Sequence, residues 1–213
     1  MSAMTPVVHL VDNDPRILRS LARLFEIEGI ATTSSTSAKE FLAHYDADVP
    51  GCLVLDLAMP GESGLELQEA LHRSAVPVPV VFLSGCGDVP SSVNAMKHGA
   101  VDFLTKPVDA DALLGAVQRA IEQDLAQRAR AADDARVRAA LDRLTPREHE
   151  ILPWLVSGKL NKQIAAELGV VEKTVKVHRM HVMEKLGLHS LADLVRLVER
   201  QRIAPAPVGP TPN

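Results

Sequence analysis

The stretch Val7-Val8-His9-Leu10-Val11-Asp12-Asn13-Asp14-Pro15 decides the fold. Five mostly β-branched and apolar residues read as a short buried strand; the acids then break the run, and Pro15 suits the first position of a helix. In the segment that follows, Arg16 to Glu28, Leu18, Leu21 and Phe25 fall on one stripe at helical spacing. The same succession returns along the chain. Further strands are expected at Ala31 to Thr33, Cys52 to Asp56, Val78 to Leu83 and Val101 to Leu104. A closing amphipathic helix is expected at Asp111 to Leu125, with Leu114, Val117, Ile121 and Leu125 on its stripe. Repeated strand-then-helix units of this kind make an α/β fold, a doubly wound parallel sheet covered on both faces.

In such a sheet functional groups gather past the carboxyl ends of the strands. Asp12, Asp56, Ser84 and Lys106 all fall at or just past an expected strand end. Their chemistry fits an acceptor of phosphoryl groups. A carboxylate is a weak nucleophile, so it needs a reactive donor, with the protein supplying position and charge neutralisation. Neighbouring acids suit Mg²⁺, a lysine gives a phosphate oxygen a compact positive charge, and a hydroxyl donates a hydrogen bond. Asp12 and Asp14 have a plainer reading as helix caps ahead of Pro15. His9, His44, His72 and His98 have no metal-ligand spacing and are expected in the core or on the surface. Ser84-Gly85-Cys86-Gly87 lacks the ending that a nucleotide-binding loop requires and is expected to be a loop beside the acceptor site.

With 213 residues the chain has room for about two domains. Its mean hydropathy of +0.06, the lack of a long apolar run and an N-terminus without signal character lead to an expected cytoplasmic location away from membranes. Cys52 and Cys86 form neither a metal site nor a disulfide framework and are expected as reduced thiols. The net charge of −4 is unevenly spread: residues 140–203 carry 11 Lys and Arg against 8 Asp and Glu. An acidic half joined to a mildly basic one fits a regulator with a nucleic-acid-binding end.

Beyond these properties, residues 6–123 resemble a response-regulator receiver domain. Asp56-Leu57-Ala58-Met59-Pro60-Gly61, Gly87-Asp88-Val89-Pro90 and Gly99-Ala100-Val101-Asp102-Phe103 are similar to the FixJ branch in particular. The resemblance implies a CheY-like (βα)5 receiver in which Asp56 accepts phosphate and Asp12, Asp56 and the Ala58 carbonyl belong to a Mg²⁺ site. Ser84 and Lys106 would contact the phosphoryl group, and Phe103 would be the aromatic that turns inward on activation. The second place of the acidic pair, commonly a metal ligand in the family, is held here by Asn13. Its carbonyl offers an oxygen without a charge, so Mg²⁺ binding is expected to be weaker.

Residues 124–141, rich in Ala, Arg, Asp and Gln and free of Gly and Pro, are expected as a helical linker. The tail 204–213, with four prolines, is expected to be disordered. Between them, over 142–203, helix signals repeat. Thr145-Pro146-Arg147-Glu148 has the form of a capping box, and Gly158 closes the helix it starts. Asn161 is expected to cap a second helix that ends before Gly169; a third runs from about Glu172 to Leu186, and Ser190 with Asp193 opens a fourth. Pro153 inside the first helix is expected to remove a hydrogen bond and bend it, and Val171 leaves the third without a side-chain cap. On that third helix Val175, Val182 and Leu186 recur at core spacing. Lys173, Lys176, Val177 and Met180 fall on the opposite face.

Leu144-Thr145-Pro146-Arg147-Glu148, Asn161-Lys162-Gln163-Ile164-Ala165 and Lys173-Thr174-Val175-Lys176-Val177-His178-Arg179 resemble the LuxR-type DNA-binding domain, an all-α four-helix fold with a helix-turn-helix. The resemblance implies that Lys176 and Val177 face bases while Asn161, Lys162, Thr174 and Arg179 hold phosphates, with Lys173 on the same exposed face. Met180 stands where some relatives carry a base-contacting lysine. Together the two resemblances imply a two-component response regulator of the FixJ/NarL type. It would take phosphate from a sensor histidine kinase, form a homodimer, bind promoter DNA and act on transcription with RNA polymerase as a partner, activation being favoured over repression. Two other readings stay open: a regulator whose receiver works without phosphate, favoured by Asn13, and an acyl-phosphate-forming hydrolase, disfavoured because no general base accompanies Asp56.

Overall fold

Five short strands form one parallel sheet in the order β2-β1-β3-β4-β5: β1 (Val7–Val11), β2 (Ala31–Ser35), β3 (Gly51–Asp56), β4 (Val80–Ser84) and β5 (Asp102–Thr105). The computed structural model describes residues 4–59, 64–72, 78–85, 89–201 and 203. The chain divides after Ala131 into two compact units. In the first, the strands alternate with α1 (Pro15–Ile27), α2 (Ala38–His44), α3 (Gly64–His72) and α4 (Val89–Lys97), and β5 leads into α5 (Ala110–Asp142).

Side chains of successive strand residues point to opposite faces, and the core divides accordingly. Val8, Leu10, Cys52, Val54, Val81 and Leu83 pack against Leu18, Leu21 and Phe25 of α1 and against Leu113, Ala116, Val117 and Ala120 of α5. Their alternates Val11, Leu53, Leu55, Val80 and Phe82 pack against α2, α3 and α4 through Phe41, Leu67 and Ala95 among others. Strand β3 is buried along its whole length, as the middle of a doubly covered sheet must be.

Strand and helix ends differ from expectation for identifiable reasons. Pro79 has no N–H to give the ladder, so β4 begins at Val80 rather than Val78, while the Pro79 carbonyl accepts from Leu53 N at 2.9 Å. Strand β2 continues to Ser35 because β1 supplies a partner as far as Val11. Helix α1 starts at Pro15 with Asp14 as its cap, whose carboxylate accepts from Arg16 N at 2.8 Å.

The expected stripe on α5 requires a correction. Leu113, Ala116, Val117 and Ala120 form the fully buried face; the next inward position is Asp124, and Leu125 is 43% exposed. A fully buried carboxylate is tolerated here because the Asp124 Oδ2 accepts from Gly51 N at 2.9 Å and from Arg128 Nε at 2.7 Å. Arg128 also donates to the carbonyls of Asp48 and Val49, at 3.2 and 3.1 Å. Gly51 lies so close to β1 that a Cβ on it would be 1.9 Å from the Val7 carbonyl oxygen. Residues 124–128, expected in the linker, thus belong to the first unit, and α5 is unbroken from Ala110 to Asp142. His9 is a core histidine: its Nδ1 is 2.8 Å from Thr33 Oγ1, its ring meets Phe41 and Tyr45 edge-on, and burial holds its pKa down. Burial also pushes the Cys52 thiol up to about 12, which keeps it unreactive.

The second unit takes the end of α5 and adds α6 (Pro146–Val156), α7 (Asn161–Glu167), α8 (Glu172–Leu186) and α9 (Leu191–Arg200). Leu141, Leu144, Ile151, Leu152, Ile164, Val175, Val182 and Leu194 are among the residues of its core. Helix α6 has its capping box, with Glu148 N bonded to Thr145 Oγ1 and Thr145 N to the Glu148 carboxylate. It continues through Pro153, whose position near the C-terminal end leaves only the final residues beyond it. Helix α7 corrects the expected cap. Leu160, not Asn161, is its N-cap residue, and the Gln163 side chain accepts from Leu160 N at 2.8 Å in place of a capping oxygen. Helix α8 has no side-chain cap at Val171 and closes on Gly187 at φ 64°.

Candidate functional site

The sheet order reverses direction between β1 and β3, and this is where α/β folds open a crevice at their carboxyl ends. Val11 is in register with Leu55, so Asp12 and Asp56 emerge side by side, one at the end of each strand. Ser84 pairs with Thr105, which brings Lys106 in from the far side. Lys106 N also donates to the Ser84 carbonyl at 2.7 Å.

A single ammonium ties the cradle together. Lys106 Nζ donates to Asp12 Oδ2 at 2.6 Å and to Asp56 Oδ1 at 2.9 Å. Asp12, Asp56 and Ser84 are all buried. Burial works against the charge on Lys106, yet its hydrogen bonds to Asp12 and Asp56 and the two negative charges outweigh that and hold its pKa above the ordinary value. The second Asp12 oxygen accepts from Asp14 N at 2.8 Å, which fixes the turn after β1.

Beside Lys106 a groove of about 380 Å³ opens, walled by Ile17 and Leu21 of α1 and by Leu83, Pro107 and Val108. Phe103 on β5 is half-buried, its ring 6.5 Å from that of Phe82. The start of α3 lies close against β3: a Cβ on Gly64 would be 2.7 Å from the Asp56 carbonyl oxygen.

Of the other expected members of the metal site, Asn13 and Ala58 are exposed. Asp14, the cap of α1, has its carboxylate engaged by Arg16. That hydrogen bonding to Arg16 draws the Asp14 pKa down to about 2. Among the described residues no group of three or more His, Cys, Asp or Glu side chains is arranged to hold a metal ion. Pro60, Gly61, Cys86, Gly87, Asp88 and the tail 204–213 lie outside the described residues, as does the side chain of His72.

In the second unit, α8 sets a buried row, Val175 and Val182, against an exposed face holding Lys173, Lys176, Val177 and Met180. Lys176 Nζ lies 3.1 Å from a Glu172 oxygen on the same helix. Lys162 is exposed, while Thr174, Arg179 and Asn161 are half-buried, and the Asn161 Oδ1 has no partner among the described residues. Helix α8 is also tied to α6 by a residue that the sequence shows only as a cap signal. Glu148, buried on α6, accepts from Lys185 Nζ of α8 at 2.6 Å, and His181 Nδ1 is 3.7 Å from its other oxygen. Those hydrogen bonds, from Lys185 first and Thr145 N next, draw its pKa down to about 2.

Residues 8–118 match the family model described as the response regulator receiver domain, and residues 142–198 match that of bacterial regulatory proteins of the luxR family. The chain belongs to the response regulators. Nodulation protein W of Bradyrhizobium diazoefficiens is 44% identical over 193 residues, covering 91% of this chain and 85% of that one. Transcriptional regulatory protein FixJ of Azorhizobium caulinodans is 42% identical over 202 residues, covering 93% and 94%. The solved structure of response regulator StyR is 41% identical, with a TM-score of 0.83 over 92% of this chain and 99% of StyR. As a response regulator the chain joins a receiver to a LuxR-type DNA-binding domain and is a regulator of transcription, not an enzyme, which removes the hydrolase reading. Among the described residues, no helix of this response regulator is long and apolar enough to cross a membrane.

Proposed function

We propose that this response regulator is switched by phosphorylation of Asp56. The observation that supports this most is Lys106, held between Asp12 and Asp56 at 2.6 and 2.9 Å beside the buried Ser84. A carboxylate oxygen of Asp56 bonds to phosphorus as the P–N bond to the histidine of a sensor kinase breaks. Lys106 then shifts its hydrogen bond from the Asp56 carboxylate to a phosphoryl oxygen, and the Ser84 hydroxyl donates to another. The groove along α1 gives the kinase an apolar footing next to the acceptor.

Two carboxylates drawn to one cation fit Mg²⁺, which is commonly held by one or two carboxylates together with the phosphate. Asp12 and Asp56 would hold it, with the Ala58 carbonyl and the Asn13 side chain completing the protein's share. When bound, Mg²⁺ neutralises charge on the phosphoryl oxygens. With Asn13 neutral, the protein offers fewer charges to the ion, so a higher Mg²⁺ requirement follows.

Phosphorylation then moves Ser84 and Phe103, favours a homodimer in the cytoplasm and presents two α8 helices to a palindromic promoter, where RNA polymerase is recruited. On α8, Lys176 and Val177 face bases and Lys173 lies on the same side, while Asn161, Lys162, Thr174 and Arg179 hold phosphates. The domains of this proposal are a receiver from residue 6 onward, a DNA-binding domain over 142–203 and a tail over 204–213, with the part of α5 after residue 128 as the helical linker.

The test is the mass of the full-length protein in solution with Mg²⁺, before and after a small-molecule phosphodonor, beside Asp56→Asn. Incorporation of phosphate and a monomer-to-dimer shift are expected, both absent in Asp56→Asn. A shift that persists in Asp56→Asn overturns the assignment. Neither incorporation nor shift in the parent favours the phosphate-independent regulator that Asn13 first suggested.

A further inference from the structure

Helix α8 carries large apolar side chains that its own core leaves outside. Val175 and Val182 are fully buried, and Met183 and Leu186 pack against the same core. Val177 and Met180 remain 39% and 58% exposed on the opposite side. They are three residues apart and therefore adjacent on the helix surface, with Lys173 and Lys176 one turn before them. An apolar pair framed by cations is complementary to a polyanion that also displays methyl groups. In the major groove of B-DNA that description fits thymine, whose C5 methyl is the apolar group the base pairs present there.

We infer that Met180, together with Val177, reads thymine methyl groups, and that each half-site carries thymine where the middle turns of α8 meet the groove. The inference rests on α8 being the base-facing helix and deepens that reading by naming what its apolar pair selects. Lysines at 173 and 176 attract the duplex and reach phosphates or guanine acceptors, which a solvated basic face of any sequence also does in part. Met180 adds discrimination. Its unbranched thioether adjusts to a methyl group at the groove floor, and burying that methyl is favoured over leaving it in water. Because the side chain lies outside the core, changing it leaves the fold intact.

The test uses full-length protein, Mg²⁺ and a small-molecule phosphodonor, with a duplex enriched from a randomised library by that protein. Thymines of the enriched duplex are replaced one at a time by deoxyuridine, which removes the methyl alone. At one or two positions per half-site the affinity is expected to fall about fourfold. In Met180→Ala the thymine and uracil duplexes should bind equally at one of those positions, and Met180→Leu should restore the preference, the non-additivity expected of direct contact. Indifference to uracil throughout, with Lys176→Ala still weakening binding, overturns the methyl inference and leaves α8 as the reading helix. No enriched duplex, or full affinity in both Lys176→Ala and Met180→Ala, removes α8 from the bases and the inference with it. Unchanged operator affinity in Met180→Ala with reduced transcription assigns the pair to a protein partner and also overturns it.

Discussion

The receiver cradle and the exposed face of α8, the two places proposed to meet phosphate, both gather a few charged side chains, but they are built in opposite ways. Asp12, Asp56, Ser84 and Lys106 come from four strand ends, and the Lys106–Asp12 pair spans 94 positions of sequence. All but the lysine are buried. Lys173, Lys176, Val177 and Met180 come from one helix and stand in solvent. In the cradle each charge is tolerable only because another is in place, so stability and chemistry are linked. On α8 the exposed side chains hold nothing else in place, so in the proposed reading stability and DNA binding are separable.

Removing Lys106 presses hardest on this contrast. Lys106→Ala leaves two buried carboxylates facing each other and is expected to lower receiver stability by about 3 kcal/mol, seen in the urea midpoint. A variant as stable as the parent would show that the two carboxylates do not depend on the lysine. Next comes Lys176→Ala, expected to reduce operator affinity about tenfold in a direct binding titration while stability stays within about 0.5 kcal/mol. A large loss of stability there would erase the distinction.

Acid sharpens the comparison from another side, because the one carboxylate in the second unit that behaves like the cradle is Glu148. Its folded pKa, about 2, lies below the ordinary 4.5, so its contribution is fully present above about 4.5 and is lost as pH falls from 4.5 toward 2. Trp154 on α6 is the only tryptophan of the chain, so its fluorescence follows this unit alone. Glu148→Gln should flatten the acid transition in that window; an unchanged profile would place the acid sensitivity elsewhere. The smallest effect is expected at Arg200, whose guanidinium meets Asp133 and Asp134 at 2.6 and 2.5 Å on an exposed surface. Arg200→Ala should lower the thermal unfolding midpoint least of these variants, and less again in high salt.

Much of the cradle was legible because a parallel sheet sends every strand end to one edge, so apolar runs ending in Asp12, Asp56 and Ser84 already imply their meeting. The face of α8 was legible from spacing alone, and its bounds at Glu172 and Leu186 agree with the sequence reading. Less legible were features that depend on a partner distant in sequence. Asp124 looks like a linker residue until Gly51 and Arg128 surround it, whereas Leu125 continues the apolar spacing yet lies outside the core. Glu148 announced a cap but not its lysine 37 positions on. Asn161 has the chemistry of a cap for α7, but Gln163 satisfies Leu160 N from inside the helix, and the helix begins one residue earlier than that chemistry suggests.

The compactness of the α8 surface has a practical meaning for engineering. Lys173, Lys176, Val177 and Met180 lie within eight consecutive codons and are all exposed, so a single short cassette suffices to randomise them all. With α8 as the proposed reading helix, retargeting the regulator to a new promoter becomes a library problem in one oligonucleotide, with the receiver half of the gene left as it is.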